Sequence, residues 1–152
     1  MTVFSRLLSA GMTAVVLAYL LLTVSAYAEW NETNCTNRGG SIITGQNSIQ
    51  FCASKVPMNW WSANVWCQKH GGQLAESADI CPGVPLTMAE MECPNITHTN
   101  LPSSNSSRIS WLRNTVIMDE QLSGRVMYRG AYKAYMQWKT PTNQAFAICS
   151  ES

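Results

Sequence analysis

Cysteine and histidine are the residues of this chain with the greatest capacity for chemistry. Six cysteines and two histidines occur among 152 residues. His70 follows Cys67 by about one helical turn, so a thiol activated by an imidazole is one interpretation. The other is structural, with Cys67 in a disulfide and His70 at a helix C-terminus, where a partly positive ring is favourable. An even number of cysteines behind an apolar leader favours the structural interpretation, because exported chains oxidise their thiols.

Other catalytic arrangements are weaker. A zinc site can be drawn from Cys81, Cys93, His70 and His98, but its spacing matches no common ligand pattern and an oxidising compartment would consume the thiols. The sequence contains no Gly-x-Ser-x-Gly turn, phosphate-binding loop or Cys-x-x-Cys pair. We therefore predict that the protein is not an enzyme and that it uses no metal or cofactor.

The C-terminal third combines aromatic and basic side chains. Tyr, Trp and Arg are the residue types enriched at recognition hot spots. An alternative remains open, because a small disulfide-bonded domain also needs its rings to build a core. The residues predicted to bind a ligand are Arg125, Tyr128, Arg129, Tyr132, Tyr135 and Trp138.

The start of the chain predicts its compartment. Arg6 precedes an uncharged stretch, residues 7–28, that closes with Ala26-Tyr27-Ala28, a small-x-small signal-peptidase pattern. We interpret residues 1–28 as a signal peptide; an uncleaved anchor is the alternative, since a membrane span needs roughly 20 residues. The remaining 124 residues hold all six cysteines. They predict one domain, secreted or at the cell surface, with three disulfides.

The charge of this remaining part restricts the class of partner. Nine Lys and Arg balance nine Asp and Glu once Arg6 is set aside. Such a balance favours neither nucleic acid nor strong attachment to anionic membranes. We expect an extracellular protein or glycan as the partner. Four glycosylation sequons lie in polar segments predicted to be exposed, at Asn31, Asn34, Asn95 and Asn105.

One helix is predicted most clearly. Asn59 suits the N-cap, Gly71 suits a left-handed C-cap, and Trp60, Ala63 and Cys67 fall on one face, so the helix should span residues 60–70. Upstream, the polar residues 29–47 predict a loosely ordered extension outside the core, and an alternating pattern predicts a strand within residues 48–56. Downstream, residues 73–75 predict a short strand with Leu74 inward.

Proline and glycine divide the rest of the chain. A short helix of good helix formers is predicted over residues 86–92, and an exposed loop over residues 94–107. From residue 108 onward, short apolar runs separated by Gly124, Gly130 and Pro141 predict an antiparallel meander. Together these elements predict an α+β domain with one or two helices packed on a small antiparallel sheet.

The predicted helix and the strand after it resemble the first helix of the C-type lectin-like domain. The matching residues, in order and spacing, are Trp60, Ala63, Cys67, Gly71, Gly72 and Leu74. Trp111-Leu112 resembles the central aromatic strand of that family, and the segment ending at Cys149 resembles its last strand. The resemblance covers residues 48–152 and implies a Cys67–Cys149 disulfide. It leaves Cys35–Cys52 and Cys81–Cys93 as the other two bridges.

The chain also departs from the sugar-binding members of the family. It lacks their Glu-Pro-Asn, Gln-Pro-Asp and Trp-Asn-Asp motifs, and between Trp111 and Cys149 the acids are Asp119 and Glu120. Calcium needs several oxygen ligands. The resemblance therefore implies a calcium-independent recognition or adhesion module, similar to short lectin-like domains on bacterial surface proteins. The alternative is a structural subunit of a surface appendage or envelope layer.

Overall fold

The computed structural model describes residues 30–45, 48–83, 90–94, 96 and 101–151. Within them, three helices pack on a curled, mostly antiparallel sheet, as expected of a small α+β domain. The helices are α1 (Glu32–Asn37), α2 (Trp60–Lys69) and α3 (Ser77–Ile80). The strands are β1 (Gly40–Thr44), β2 (Gln50–Ser54), β3 (Gly72–Leu74), β4 (Glu90–Cys93), β5 (Ile109–Met118), β6 (Gln121–Arg129), β7 (Ala134–Lys139) and β8 (Phe146–Glu151).

The sheet has the strand order β1-β2-β8-β5-β6-β7-β4, with β3 paired to β8. The antiparallel meander predicted for the C-terminal third is present in β5, β6 and β7. It does not extend to the last strand, because β8 returns to the middle of the sheet and runs parallel to β5. A bridge between Met58 and Ala145 guides the return. β8 then pairs with β2 on the side away from β5, and its last residues pair with β3 on the side of β5.

Helix α2 begins where the sequence predicts. The Asn59 side chain accepts a hydrogen bond from the backbone N–H of Ser62 at 2.8 Å, and Ala63 and Cys67 form the buried face. The helix ends at Lys69, one residue earlier than predicted, because His70 is the C-cap and Gly71 takes a φ of +82°. The left-handed conformation of Gly71 stops the helix and leads directly into β3.

Two hydrophobic clusters lie on opposite faces of the sheet. One surrounds α2 and includes Trp111 and Val126. The other includes Phe51, Met127 and Met136. Because Val126 and Met127 are neighbours on β6, their side chains point to opposite faces. The indole N–H of Trp111 is satisfied by the carbonyl of Met58 at 2.8 Å, so this large ring is buried without an unpaired donor.

All three predicted disulfides are confirmed. Cys67–Cys149 joins α2 to β8, Cys35–Cys52 joins α1 to β2, and Cys81–Cys93 joins the end of α3 to β4. Three disulfides indicate an oxidising, extracytoplasmic environment. In the described ranges no helix is long and apolar enough to cross a membrane. Residues 1–28, interpreted above as a signal peptide, lie outside those ranges.

The segment after the predicted signal peptide differs from the prediction. Residues 30–45 form α1 and the edge strand β1, and Trp30 is only 2% exposed. The Cys35–Cys52 bridge and the pairing of β1 with β2 fix this segment. Gly40 makes the approach possible, because a Cβ there would lie 2.5 Å from Cys52 Sγ. The prediction of a loosely ordered extension is therefore wrong for these residues, because backbone pairing and a disulfide order the segment.

Two further predictions concern the middle of the chain. The helix predicted over residues 86–92 falls largely outside the described residues, but its last positions belong to β4, where Met91 pairs with Met136. The Cys81–Cys93 bridge holds this strand at the sheet edge. The described part of the predicted loop, residues 94–107, is irregular as expected. It nevertheless contributes Ile96 and Leu101 to the core, at 7% and 2% exposure.

Candidate functional site

The six residues predicted to bind a ligand do not form one surface. Tyr132 is 87% exposed, and four of the others are partly exposed. Arg125, by contrast, is completely buried. In the register of β6 and β7, Arg125 faces Trp138 and Tyr128 faces Tyr135. Because side chains alternate along a strand, these two pairs lie on opposite faces of the sheet.

Arg129 stabilises a loop within the same molecule. Its Nη1 donates to the carbonyl of Leu101 at 2.9 Å and to Ser103 Oγ at 2.8 Å. These bonds tie residues 101–103 to the end of β6. The guanidinium group thus has an internal structural role that the sequence pattern does not indicate.

Arg125 lies beneath Trp138. Its guanidinium carbon is 4.8 Å from the centre of the indole ring, a cation–π distance. Burial lowers the pKa of the Arg125 guanidinium, which nevertheless keeps its charge because an arginine side chain remains protonated in proteins. Arg125 is therefore not exposed to a ligand, although the prediction of a binding role requires it. It supports one face of Trp138, which is itself partly exposed.

A groove of about 420 Å³ opens beside Trp138. The end of β7, the turn that follows it and the extended part of β5 and β6 form its walls. It offers one aromatic ring together with amides, hydroxyls and both signs of charge. The lining includes Asp119, Gln121, Ser123, Trp138, Lys139 and Asn143.

β5 and β6 continue past the sheet as a two-stranded ribbon, residues 115–124. The pairing of β6 with β7 begins at Gly124–Lys139, whereas its pairing with β5 runs on to Met118–Gln121. Asp119 and Glu120 form the turn, with φ values of 48° and 63°. Left-handed φ at both central residues is characteristic of the type I′ hairpin turn. The ribbon exposes apolar side chains, namely Val116, Ile117, Met118 and Leu122.

A bulge at the base of the ribbon fixes its position. Between Trp111 and Thr115, three residues of β5 lie opposite Arg125 alone. The bulge is tied to the helices, because the carbonyl of Leu112 accepts a hydrogen bond from Trp60 Nε1 at 2.9 Å. Asn114 Oδ1 accepts a second one from the backbone N–H of Ser77 at 2.7 Å. Bulges of this kind bend a strand and redirect it.

Gly124 permits close packing where the ribbon leaves the sheet. A Cβ at this position would lie 2.9 Å from Trp111 Cζ3 and 3.0 Å from Trp60 Cδ1. Both neighbours are rigid rings, so neither can move aside easily. In the sequence Gly124 indicated only a break between two apolar runs, and its packing role depends on contacts that are distant along the chain.

A second surface is the outer face of α2. Trp61 and Val65 are 49% and 59% exposed. Together with Met58 and Trp66 they line an open apolar cleft of about 550 Å³, with Lys69 at its rim. α2 thus buries its Ala63 and Cys67 face and leaves an apolar face uncovered.

Cys67 and His70 do not form a pair of thiol nucleophile and base. Cys67 is bonded to Cys149, so it offers no thiolate. The His70 ring contacts Trp66 edge-on, with ring centroids 4.8 Å apart. Burial, and then the charges of Arg38 and Lys69, lower the pKa of His70 from its ordinary 6.5. An imidazole in this setting is mainly neutral at pH 7 and packs on the tryptophan.

The four residues from which a zinc site can be drawn do not provide free thiolate ligands. Cys81 and Cys93 are bonded to each other, and His98 lies outside the described residues. Across the ranges that the structure describes, no three His, Cys, Asp or Glu side chains are grouped so that they could hold a metal ion.

Comparisons with protein-family models, with curated proteins and with solved structures find no match for this chain.

Proposed function

We propose that this protein is an extracytoplasmic recognition or adhesion module that binds a protein or a glycan in the groove beside Trp138. The observation that carries this proposal is the groove itself, where an aromatic ring is held from below by buried Arg125 and surrounded by polar side chains. Binding sites typically combine an aromatic or apolar surface with a few polar groups that orient the ligand.

We further propose that the scaffold is a C-type lectin-like domain. The support comes from α2, which starts at Trp60, buries Ala63 and Cys67, and runs through Gly71 into a strand. The bridge from Cys67 to the last strand, which the resemblance implies, adds to this support.

The proposed activity is binding without catalysis or calcium. Every cysteine is in a disulfide, which leaves no thiol nucleophile. Asp119 contributes one carboxylate to the groove, and its neighbour Glu120 belongs to the same tight turn. Calcium needs six or more oxygen ligands, so a single acid in an open groove favours recognition by direct contacts.

A structural subunit remains the second candidate, and the exposed face of α2 favours it. Trp61 and Val65 present a continuous apolar surface of the kind that often marks a protein contact. Assembly through this face should be visible by light scattering as a concentration-dependent mass, which Val65→Glu should abolish. A monomer at all concentrations would eliminate this candidate.

The binding proposal is tested by screening the purified protein on glycan arrays and on immobilised random peptides, in parallel with two double variants. Lys139→Ala/Asn143→Ala removes two polar side chains from the groove. Gln50→Ala/Lys55→Ala removes an amide and an amine from a different depression, near β1 and β2. A ligand that the first variant loses and the second retains supports the proposal. Ligands that both variants retain would contradict it.

A further inference from the structure

The groove beside Trp138 offers backbone groups as well as side chains. β6 extends three residues beyond its last pair with β7, at Gly124–Lys139. Among the residues that the structure describes, 121–123 pair only with β5, through Met118–Gln121, Ile117–Leu122 and Val116–Ser123. One edge of the ribbon is therefore open on the side of the groove.

The register determines which backbone groups face this edge. The pair that closes a two-residue hairpin exchanges both hydrogen bonds, and the pairs along an antiparallel ladder then alternate. Met118–Gln121 is the closing pair, so Ile117–Leu122 is a pair without mutual hydrogen bonds. The N–H and C=O of Leu122 consequently point away from β5, toward the position that a longer β7 would occupy.

Resting on the function proposed above, we infer that the ligand is an extended peptide segment of a partner protein. This segment adds a strand beside Leu122, in line with β7. Strand addition is a general mode of peptide recognition, in which backbone pairing supplies affinity and pockets for alternate side chains supply specificity.

The side chains of the groove suit such a strand. Gln121, Ser123 and Arg125 share one face of β6 because they are two residues apart, and Trp138 lies on the same face through its pairing with Arg125. Every second side chain of an added strand would thus stand on the same face as Trp138 and Ser123. Lys139 and Asp119 stand at the rim, where they can orient charged residues of the peptide. A glycan could stack on the ring but would not need the Leu122 backbone.

Proline substitution tests this inference, and the ribbon supplies its own control. Leu122→Pro removes the N–H that would bond the peptide, while the ladder with β5 does not use that group. Ile117→Pro makes the same change in the same pair, but on the opposite edge of the ribbon. Peptides selected from a random linear library on the wild-type protein should bind Leu122→Pro roughly tenfold or more weakly, a loss of about 1.4 kcal/mol. They should bind Ile117→Pro within about twofold of the wild type.

A second measurement uses the unaltered protein, so it does not depend on how the variants fold. N-methylation of the selected peptide, one backbone nitrogen at a time, should weaken binding at alternate residues. Equal losses with both proline variants, or N-methyl effects without alternation, would overturn the inference. A glycan that binds in a groove-dependent way and is retained by Leu122→Pro would also overturn it, while leaving the recognition function intact.

Discussion

Arg125 and Trp138 face each other across β6 and β7, with the guanidinium carbon 4.8 Å from the centre of the indole ring. Arg125 is completely buried, whereas Trp138 lines the groove. The pair joins the core to the candidate site, because a residue that no ligand can reach determines how the ring is presented. Arg125 also lies opposite the β5 bulge, so the same position supports the base of the ribbon.

Shortening Arg125 should therefore destabilise the protein. We expect Arg125→Ala to lower the free energy of unfolding by about 3 kcal/mol, because it leaves a cavity and removes the cation–π contact. Arg125→Met fills most of the volume and should cost about 1 kcal/mol. Urea denaturation measures both values. Tyr132→Ala, at an 87% exposed position, is the control and should change stability by less than about 0.5 kcal/mol. Equal effects at the two positions would contradict this role for Arg125.

The disulfides should differ in how much they stabilise. Cys67–Cys149 spans 82 positions and Cys81–Cys93 spans 12. In the chain-entropy model these loops correspond to about 4.5 and about 3 kcal/mol. Replacing both partners by Ala should thus cost about 1.5 kcal/mol more for the long bridge, measured by guanidinium denaturation. A larger loss from the Cys81–Cys93 replacement would indicate that native-state contacts outweigh the loop-closure term.

The ribbon turn should tolerate glycine. Glu120 has a φ of 63°, which costs an L-residue about 1 kcal/mol. We expect Glu120→Gly to raise the free energy of unfolding by roughly 0.5 kcal/mol, since the relief of strain exceeds the added flexibility of the unfolded chain. Thr142→Gly, at an exposed turn position without positive φ, should lower it instead. Thermal unfolding of both variants would reveal the opposite signs, and a loss of stability in both would contradict the turn geometry.

Protonation of His70 should destabilise the fold. Burial and the charges of Arg38 and Lys69 place its folded-state pKa below the ordinary 6.5. Between the two pKa values the unfolded chain binds more protons, so the free energy of unfolding rises with pH across that window. Relative to His70→Gln, the wild type should therefore lose stability as the pH falls through 6.5 and stop losing it below the folded-state pKa. A difference that stays constant with pH would contradict the shift.

The fold follows from the sequence where local signals decide the structure. The ends of α2 follow from Asn59 and Gly71, whose side-chain cap and left-handed conformation act within one turn. The three disulfides followed from the resemblance of the α2 segment to the C-type lectin-like family, which implied the Cys67–Cys149 bridge.

The fold does not follow from local sequence patterns where pairing between distant segments decides the structure. Residues 30–45 are polar, but they are ordered by β2 and by the Cys35–Cys52 bridge. Arginine is a residue type usually found at the surface. Arg125 is nevertheless buried, because β5 bulges opposite it and Trp138 covers it. The hydrophobic periodicity of one strand does not indicate which distant strand or side chain will pack against it.

The candidate site was predicted only in part. Trp138 was among the expected binding residues, whereas Gln121, Ser123 and Asn143 were not. The groove exists because β7 ends at Lys139 while β6 continues, and no local pattern encodes that difference in length. The apolar residues on both sides of Asp119-Glu120 were the available signal, since they indicate a hairpin that projects beyond its neighbours.

Recognition at the groove beside Trp138 is tested by the equilibrium affinity of a ligand, selected on the wild-type protein, for the groove and control double variants. We predict that Lys139→Ala/Asn143→Ala weakens binding at least about tenfold with an unchanged melting temperature. Gln50→Ala/Lys55→Ala should leave the affinity within about twofold. Unchanged affinity in the groove variant, or an equal loss in both, would contradict recognition at the groove beside Trp138.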